Sequence, residues 1–425
     1  MPLLNKTDAR SSAADSPASA PRTIRTAPGS TPRTWSAARL ALTAFFAVDG
    51  FLFAAWVVRI PDIRLQVHAS HSALGLALLC ISAGAVATMA LAGRLVVRYG
   101  SGPVTVGSVA LVALAVPLPA HTHSVAALGG VLLIFGAGYG AANVSMNSAA
   151  VELVSELRRP VMPSFHAGYS LGGLLGAAVG GLLAGTLSAA WALALGGAVG
   201  LLVTAAAGAV LLRSRPAARP AVRTAPAART SRTAAKASGT PRHARLLVVL
   251  LGLTALFTAY GEGALADWAT LHLTDDVHAS AGMAAAGYAA FAFAMTAGRV
   301  SGTWLSIRLG ATRLMLLGGL TAATGMLIAA LVPSVPAALG GFVLVGIGLA
   351  NIFPLAIGRA GETGGPQGVA TASALGYAGM LIGPPVIGFL ADAVGLPLAL
   401  TSVAAAAGTA GVLALVVGRR PSRTV

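Results

Sequence analysis

The chain has 425 residues, 56% of them hydrophobic and only 9% charged. Soluble domains carry about 25% charged residues, so this composition excludes an ordinary soluble fold and points to a polytopic membrane protein. The formal charge of +16 lies in segments between apolar runs, with no recognition motif and no basic-aromatic interleaving, which argues against nucleic acid as a partner.

The first 36 residues are rich in Ser, Ala, Pro and Arg and lack the apolar core of a signal peptide, so a disordered tail is expected. Apolar runs of spanning length follow at 37–58, 73–93, 103–120, 125–148, 165–187 and 190–212. They resume at 246–271, 281–302, 311–332, 336–358, 368–391 and 396–418. Each is near the ~20 residues that cross a bilayer, where only self-satisfied helices are allowed. The expected fold is an all-α integral membrane protein with twelve transmembrane helices in two six-helix halves, 37–213 and 245–418. Between them, residues 214–244 are basic and rich in Pro, Ala and Thr, a composition that cannot build a core and reads as a flexible linker. Residues 419–425 form a short second tail. The single cysteine, Cys80, lies inside an apolar run, so no intramolecular disulfide or cysteine metal cluster is expected.

With the N-terminus in the cytoplasm, 26 of the 28 Lys and Arg fall in cytoplasmic segments. Only Arg59 and Arg64 lie outside. This positive-inside bias places both termini in the cytoplasm.

The halves repeat each other. "LVVRYGS" (95–101) matches "LSIRLGA" (305–311) at an offset of 210. "GAGYGAAN" and "GIGLAN" end on Asn143 and Asn351. Gly172, Gly176 and Gly181 match Gly379, Gly383 and Gly388 at an offset of 207. Aligning Trp56 with Trp268 sets Asp49-Gly50 against Gly261-Glu262, so each half carries a carboxylate at nearly the same depth of its first helix. Two repeated halves with polar groups at the midplane describe a secondary transporter.

Over residues 37–418 the chain resembles the major facilitator superfamily. Its loop signature between spans two and three, G-x-x-x-D-R-x-G-R-R, appears as "GRLVVRYGSG", which keeps Gly93, Arg98 and Gly100 but has Val97 at the acidic position. The blocks "WVVRIPDIR" (56–64), "MNSAAVELVSELRRPVMPSFHAGYSLGGLLGA" (146–177) and "GEGALADWATLHL" (261–273) are similar to the bacterial YbjJ and MosC branch. The resemblance implies a transporter fold and alternating access, without naming a substrate.

A charge at the bilayer midplane costs at least ~3 kcal/mol, and intramembrane acids are functional by default. Asp49 and Glu262 are therefore the first candidates to carry a coupling proton in one central cavity. Asp267, five residues on, is expected nearer the outer mouth. His166 opens span five on one helical face with Tyr169 and Gly173, and could relay protons to the cavity. Asn143 and Asn147 are four apart on one face, suited either to a polar solute or to helix pairing. Trp56, Tyr260, Tyr288, Tyr377 and Asn351 are further candidates for the pocket, against the alternative of interfacial anchors and helix ties. Arg98 and Arg308, with Gly100 and Gly310 two residues on, are expected to cap helix ends and hold the inward gate.

No H-E-x-x-H, P-loop or nucleophile elbow is present, so no enzyme, cofactor or metal is expected. The expected function is proton-coupled transport of a small polar solute, a sugar, polyol or derivative, by a monomer in the lipid bilayer. The alternatives are efflux of lipophilic cations or drugs and a non-transporting sensor. Exporters of the superfamily often have a GPxxGG-like stretch in span five, where "GAAVGG" (176–181) has Ala177 in place of the proline.

Overall fold

The computed structural model describes residues 36–157, 161–213 and 242–418. The two tails and nearly all of the linker lie outside the described residues. The first half comprises α1 (Ala37–Val58), the short α2 (Ile60–Gln66), α3 (His71–Tyr99), α4 (Ser101–Ala115), α5 (Val125–Leu157), α6 (Met162–Ala184) and α7 (Ala189–Arg213). The second comprises α8 (Arg242–Asp275), α9 (Ala281–Leu309), α10 (Ala311–Leu331), α11 (Val335–Leu349), α12 (Ile352–Val394) and α13 (Leu396–Gly418). Among the described residues, twelve helical segments are long and apolar enough to cross a membrane, matching the twelve expected runs.

These helices are apolar on nearly every face, because lipid covers what the protein core does not. Leu182 and Val300 are 80% exposed and Trp191 is 72% exposed, which would be costly in water and is ordinary against acyl chains. The ends are set by local chemistry. Ser36 accepts the Arg39 N–H, Ser70 that of Ala73 and Ser280 that of Met283, each satisfying a donor that the helix cannot. Gly100 and Gly310 close α3 and α9 with φ of 88° and 75°, a conformation that only glycine takes without strain.

One further repeat element becomes visible in three dimensions. "VHAS" at 67–70 recurs at 277–280, and in both copies the histidine has positive φ (His68 50°, His278 56°) just before the serine cap. The same four residues thus precede the second membrane-spanning helix of each half, α3 and α9.

The halves differ near the tenth and eleventh spans. The expected run at 336–358 is broken at Ala350-Asn351, between α11 and α12. The α12 segment stays helical into the next span, and a Cβ on Gly368 would meet the Ala360 carbonyl.

Within each half, helices meet backbone to backbone along glycines. A side chain at Gly172 would run into Ala47 of α1, one at Gly136 into Ile81 of α3, and one at Gly379 into Leu256 of α8. Small residues allow this approach, which replaces the missing hydrophobic drive between helices in lipid. Gly172→Ala is therefore expected to destabilise the protein by about 1–3 kcal/mol through overpacking. Gly130→Ala, where nothing lies within 4 Å, is expected to leave stability unchanged. Thermal unfolding of the two variants in detergent checks the contrast.

Candidate functional site

The halves pack against each other through α3 with α12 and α6 with α9. Their polar contacts gather at one end of the bundle. Arg64 of α2 pairs with Asp275 of α8, and Thr270 Oγ1 donates to the Val57 carbonyl. The Asp392 carboxylate of α12 accepts from the backbone N–H groups of His71 and Ser72, at 2.9 Å each. At the same end, glycines meet the opposite half: Gly75 abuts Pro384, Gly388 abuts His71, and Gly181 abuts Ala285. The other end carries Arg98 and Arg308, and there Val86 of α3 and Arg299 of α9 are about half exposed.

Between the halves lies a cavity of about 320 Å³. Glu262, Asp267, Tyr139, Tyr169 and Tyr288 line it, together with Arg299. Glu262 accepts a hydrogen bond from Arg299 Nη2 at 2.7 Å, a pair that no reading of loop charges reveals. Arg299 belongs to α9 and faces the cavity, although the count of basic residues assigns it to a cytoplasmic segment. Its position inside the apolar run 281–302 was the signal that it was not a loop charge.

Asp267 also lines the cavity, five residues from Glu262 and ~7.5 Å farther along the helix toward the outer end. Tyr288 lies close enough to both carboxylates to feel their charge.

Asp49 takes a different place. It is 2% exposed, does not line the cavity, and its Oδ1 has no hydrogen-bond partner. It lies near Tyr139 and Tyr169, whose hydroxyls share a hydrogen bond of 2.6 Å at the cavity wall. Phe53 stacks on Tyr139 with ring centroids 5.3 Å apart, which holds that phenol in position. Gly50 lets α1 approach α6 at Tyr169 so closely that a Cβ would strike its carbonyl. The Asp-Gly step therefore places a carboxyl group behind a tyrosine pair. The two acids that the repeat sets at nearly the same depth do not face one cavity: Glu262 lines it, while Asp49 is buried outside its lining.

The remaining candidates divide in the same way. Asn143 and Tyr377 line the cavity. Asn147 turns back to its own helix, donating to the Asn143 carbonyl at 2.8 Å. Ser145, between them, is fully buried and shares a hydrogen bond with Ser108. Asn351 is also buried, and its Nδ2 donates to the Gly298 carbonyl, tying the α11–α12 break to α9. Trp56 is buried in the core, and Tyr260 is buried with its hydroxyl bonded to Ser402. His166 is exposed, with its ring edge-on to Phe46 at 5.4 Å and the charge of Arg299 acting on it. Gly93 has open space around it, and Arg98 and Arg308 lie over Tyr99 and Trp304 of their own helices. Among the described residues no cluster of His, Cys, Asp and Glu has the spacing of a metal site.

The family model described as Major Facilitator Superfamily matches residues 40–272 and 251–425. An uncharacterized MFS-type transporter of Yersinia pestis is 33% identical over 370 residues, covering 85% of this chain and 90% of that protein. Membrane protein MosC of Rhizobium meliloti is 31% identical over 373 residues, covering 86% and 88%. A bacterial homologue of the human lysosomal transporter Spinster, in an inward-facing and occupied conformation, has the same fold at 16% identity. Its TM-score is 0.69, over 91% of this chain and 98% of that one.

The site makes opposite demands on its charges. The Glu262–Arg299 pair is partly exposed, so Arg299→Ala is expected to cost at most about 1 kcal/mol of stability. Asp49→Asn removes a carboxyl group with an unpartnered buried oxygen and is expected to leave stability unchanged or raised by up to about 1 kcal/mol. Detergent melting curves of both variants measure this directly.

Proposed function

The chain belongs to the Major Facilitator Superfamily, in the branch that includes MosC, and we propose that it couples protons to the movement of a small polar solute. It is a membrane transporter with twelve spans. The finer reading rests above all on Asp49. An ionised carboxylate buried with an unpartnered oxygen costs several kcal/mol, and a proton removes most of that cost without needing another side chain. Protonated, Asp49 is compatible with the packed wall; ionised, it requires water or a rearranged Tyr139–Tyr169 pair. The proton state of one group is thereby tied to the shape of the cavity wall, which is what coupling requires.

Glu262, Asp267 and Asn143 supply acceptors and donors for hydroxyl groups, while Tyr169 and Tyr288 offer faces for a ring. Arg299 holds Glu262 and supplies a donor at the open end. His166, exposed and near Arg299, suits a relay between that end and the cavity. The positive-inside bias puts the open end in the cytoplasm, so this conformation is inward-facing, in the bacterial inner membrane. One chain encloses the cavity, and a monomer suffices.

A second reading has a specific observation in its favour. Asp267 beside Tyr288 and Phe291 would also hold a lipophilic cation, by charge and by aromatic faces. Export of such cations is therefore the competing assignment.

Purified protein in liposomes with a pH-sensitive dye distinguishes the two. Sugars, polyols and nucleosides are screened against lipophilic cations. A polar solute is expected to move protons with wild type. Asp49→Asn is expected to lower solute-driven proton flux at least tenfold while labelled-solute exchange, which needs no net proton movement, persists. Equal proton flux in wild type and Asp49→Asn would refute coupling through Asp49. Proton movement driven only by lipophilic cations would replace the polar-solute reading with the second one.

A further inference from the structure

We propose that Asp392 is the latch of the closed end, completing the N-terminal cap of α3 across the interface between the halves. Its two carboxylate oxygens take the His71 and Ser72 N–H groups, at 2.9 Å each, and Oδ1 also lies 3.2 Å from His71 Nδ1. The Ala73 N–H is taken by Ser70 of the same half. Three of the four donors that a helix start leaves free are thus satisfied, two of them by a carboxylate from the other half. A negative charge at this position also meets the positive end of the α3 dipole.

These bonds depend on conformation in a way that an ordinary cap does not. Ser70 travels with α3, but Asp392 travels with α12, so separating the halves at this end breaks both bonds at once. Glycine contacts bring the backbones near enough for the carboxylate to reach: Gly75 abuts Pro384 and Gly388 abuts His71 and Ser72. The imidazole of His71 lies 6.1 Å from the Trp268 ring of α8, so the same turn is held from two helices of the opposite half.

The repeat shows that this is not a general feature of the fold. At the offset of 207 that relates the glycines of α6 and α12, the residue matching Asp392 is Gly185, which has no side chain to cap anything. The α9 start keeps the serine cap, Ser280 to Met283, and meets α6 through Gly181 against Ala285. One seam of the closed end is apolar; the other carries a carboxylate that only the closed state satisfies. Asp392 is a positioning residue for alternating access, and this role needs neither the solute nor the proton proposed above.

The test measures access to the cavity from each side of the membrane, without substrate. Cys80 is replaced by serine and Ala266, which lines the cavity, by cysteine. A membrane-impermeant maleimide is then applied to right-side-out and inside-out vesicles. In this parent, labelling is fast from one face and slow from the other. Asp392→Asn keeps the shape but leaves one N–H facing an amide nitrogen. It is expected to speed labelling from the slow face about tenfold, the scale of losing a charged cap.

His71→Pro attacks the same bond from the other half. It deletes one donor at the first helical position, where proline is tolerated, and Ser70 already has the extended backbone that precedes proline (φ −65°, ψ 170°). It is expected to match Asp392→Asn, with no further gain in the double variant. His71→Ala keeps the N–H and is expected to stay within about twofold of the parent. Slow-face labelling unchanged in His71→Pro, or in folded Asp392→Asn, overturns the proposal. So does His71→Ala opening as far as His71→Pro, because the lock would then be the imidazole. If Asp392→Asn yields no folded protein, the two His71 variants decide alone.

Discussion

A charge inside hydrocarbon has no water to stabilise it, and the polar groups of this protein are distributed according to that cost. Arg98 and Arg308 sit at helix ends over aromatic rings, where their charged heads can reach the interface. Glu262 stands in the cavity with Arg299 at 2.7 Å. Arg64 and Asp392 are engaged across the seam between the halves. Asp49 is the buried carboxylate of the first helix whose Oδ1 has no hydrogen-bond partner among the described residues. A group left in that state by an otherwise well-packed helix pair is where a proton has the largest effect on energy.

The same constraint explains the glycines. Lipid tails solvate leucine as well as another helix does, so helices associate through close backbone approach and not through the hydrophobic effect. The first half uses this between α1 and α6 and between α3 and α5; the second uses it between α8 and α12 and between α9 and α11. The contacts are rigid inside each half. Between the halves, the glycine seams and polar pairs described above meet at one end. Rigid halves with a separable seam are the mechanical requirement for a cavity that opens to one side at a time.

A duplicated architecture has been used asymmetrically. The repeat sets Asp49 and Glu262 at nearly the same depth, one residue apart in the alignment, yet one lies behind a tyrosine pair and the other lines the cavity. It aligns Asn143 with Asn351, yet one faces the cavity and the other ties a helix break to α9. The helix starts at 67–70 and 277–280 keep identical residues and the same positive φ at the histidine, while the carboxylate that closes on the first of them has only Gly185 as its counterpart. Symmetry is retained where backbone geometry demands it. It is lost where side chains meet solute, proton or the opposite half.

The fold was legible in the sequence because its determinants are local and repeated. Apolar runs of spanning length must be helices in lipid, and basic residues bias orientation whatever the helices touch. Glycine spacing and the 210-residue offset survive in any packing. The sequence also singled out Asp49 and Glu262, since a carboxylate in an apolar run is conspicuous without knowledge of its neighbours. What it could not supply was the direction each side chain faces and the partner it meets. Charge counting makes Arg299 a loop residue, position along the helix sets Asp267 nearer the mouth than Glu262, and residue type alone makes Trp56, Tyr260 and Asn351 pocket candidates. Each depends on helix rotation and on contacts between residues tens or hundreds of positions apart, such as Glu262 with Arg299 or His71 with Asp392. Periodicity leaves rotation undetermined when a helix is apolar on every side. Only the packing of the two halves decides it.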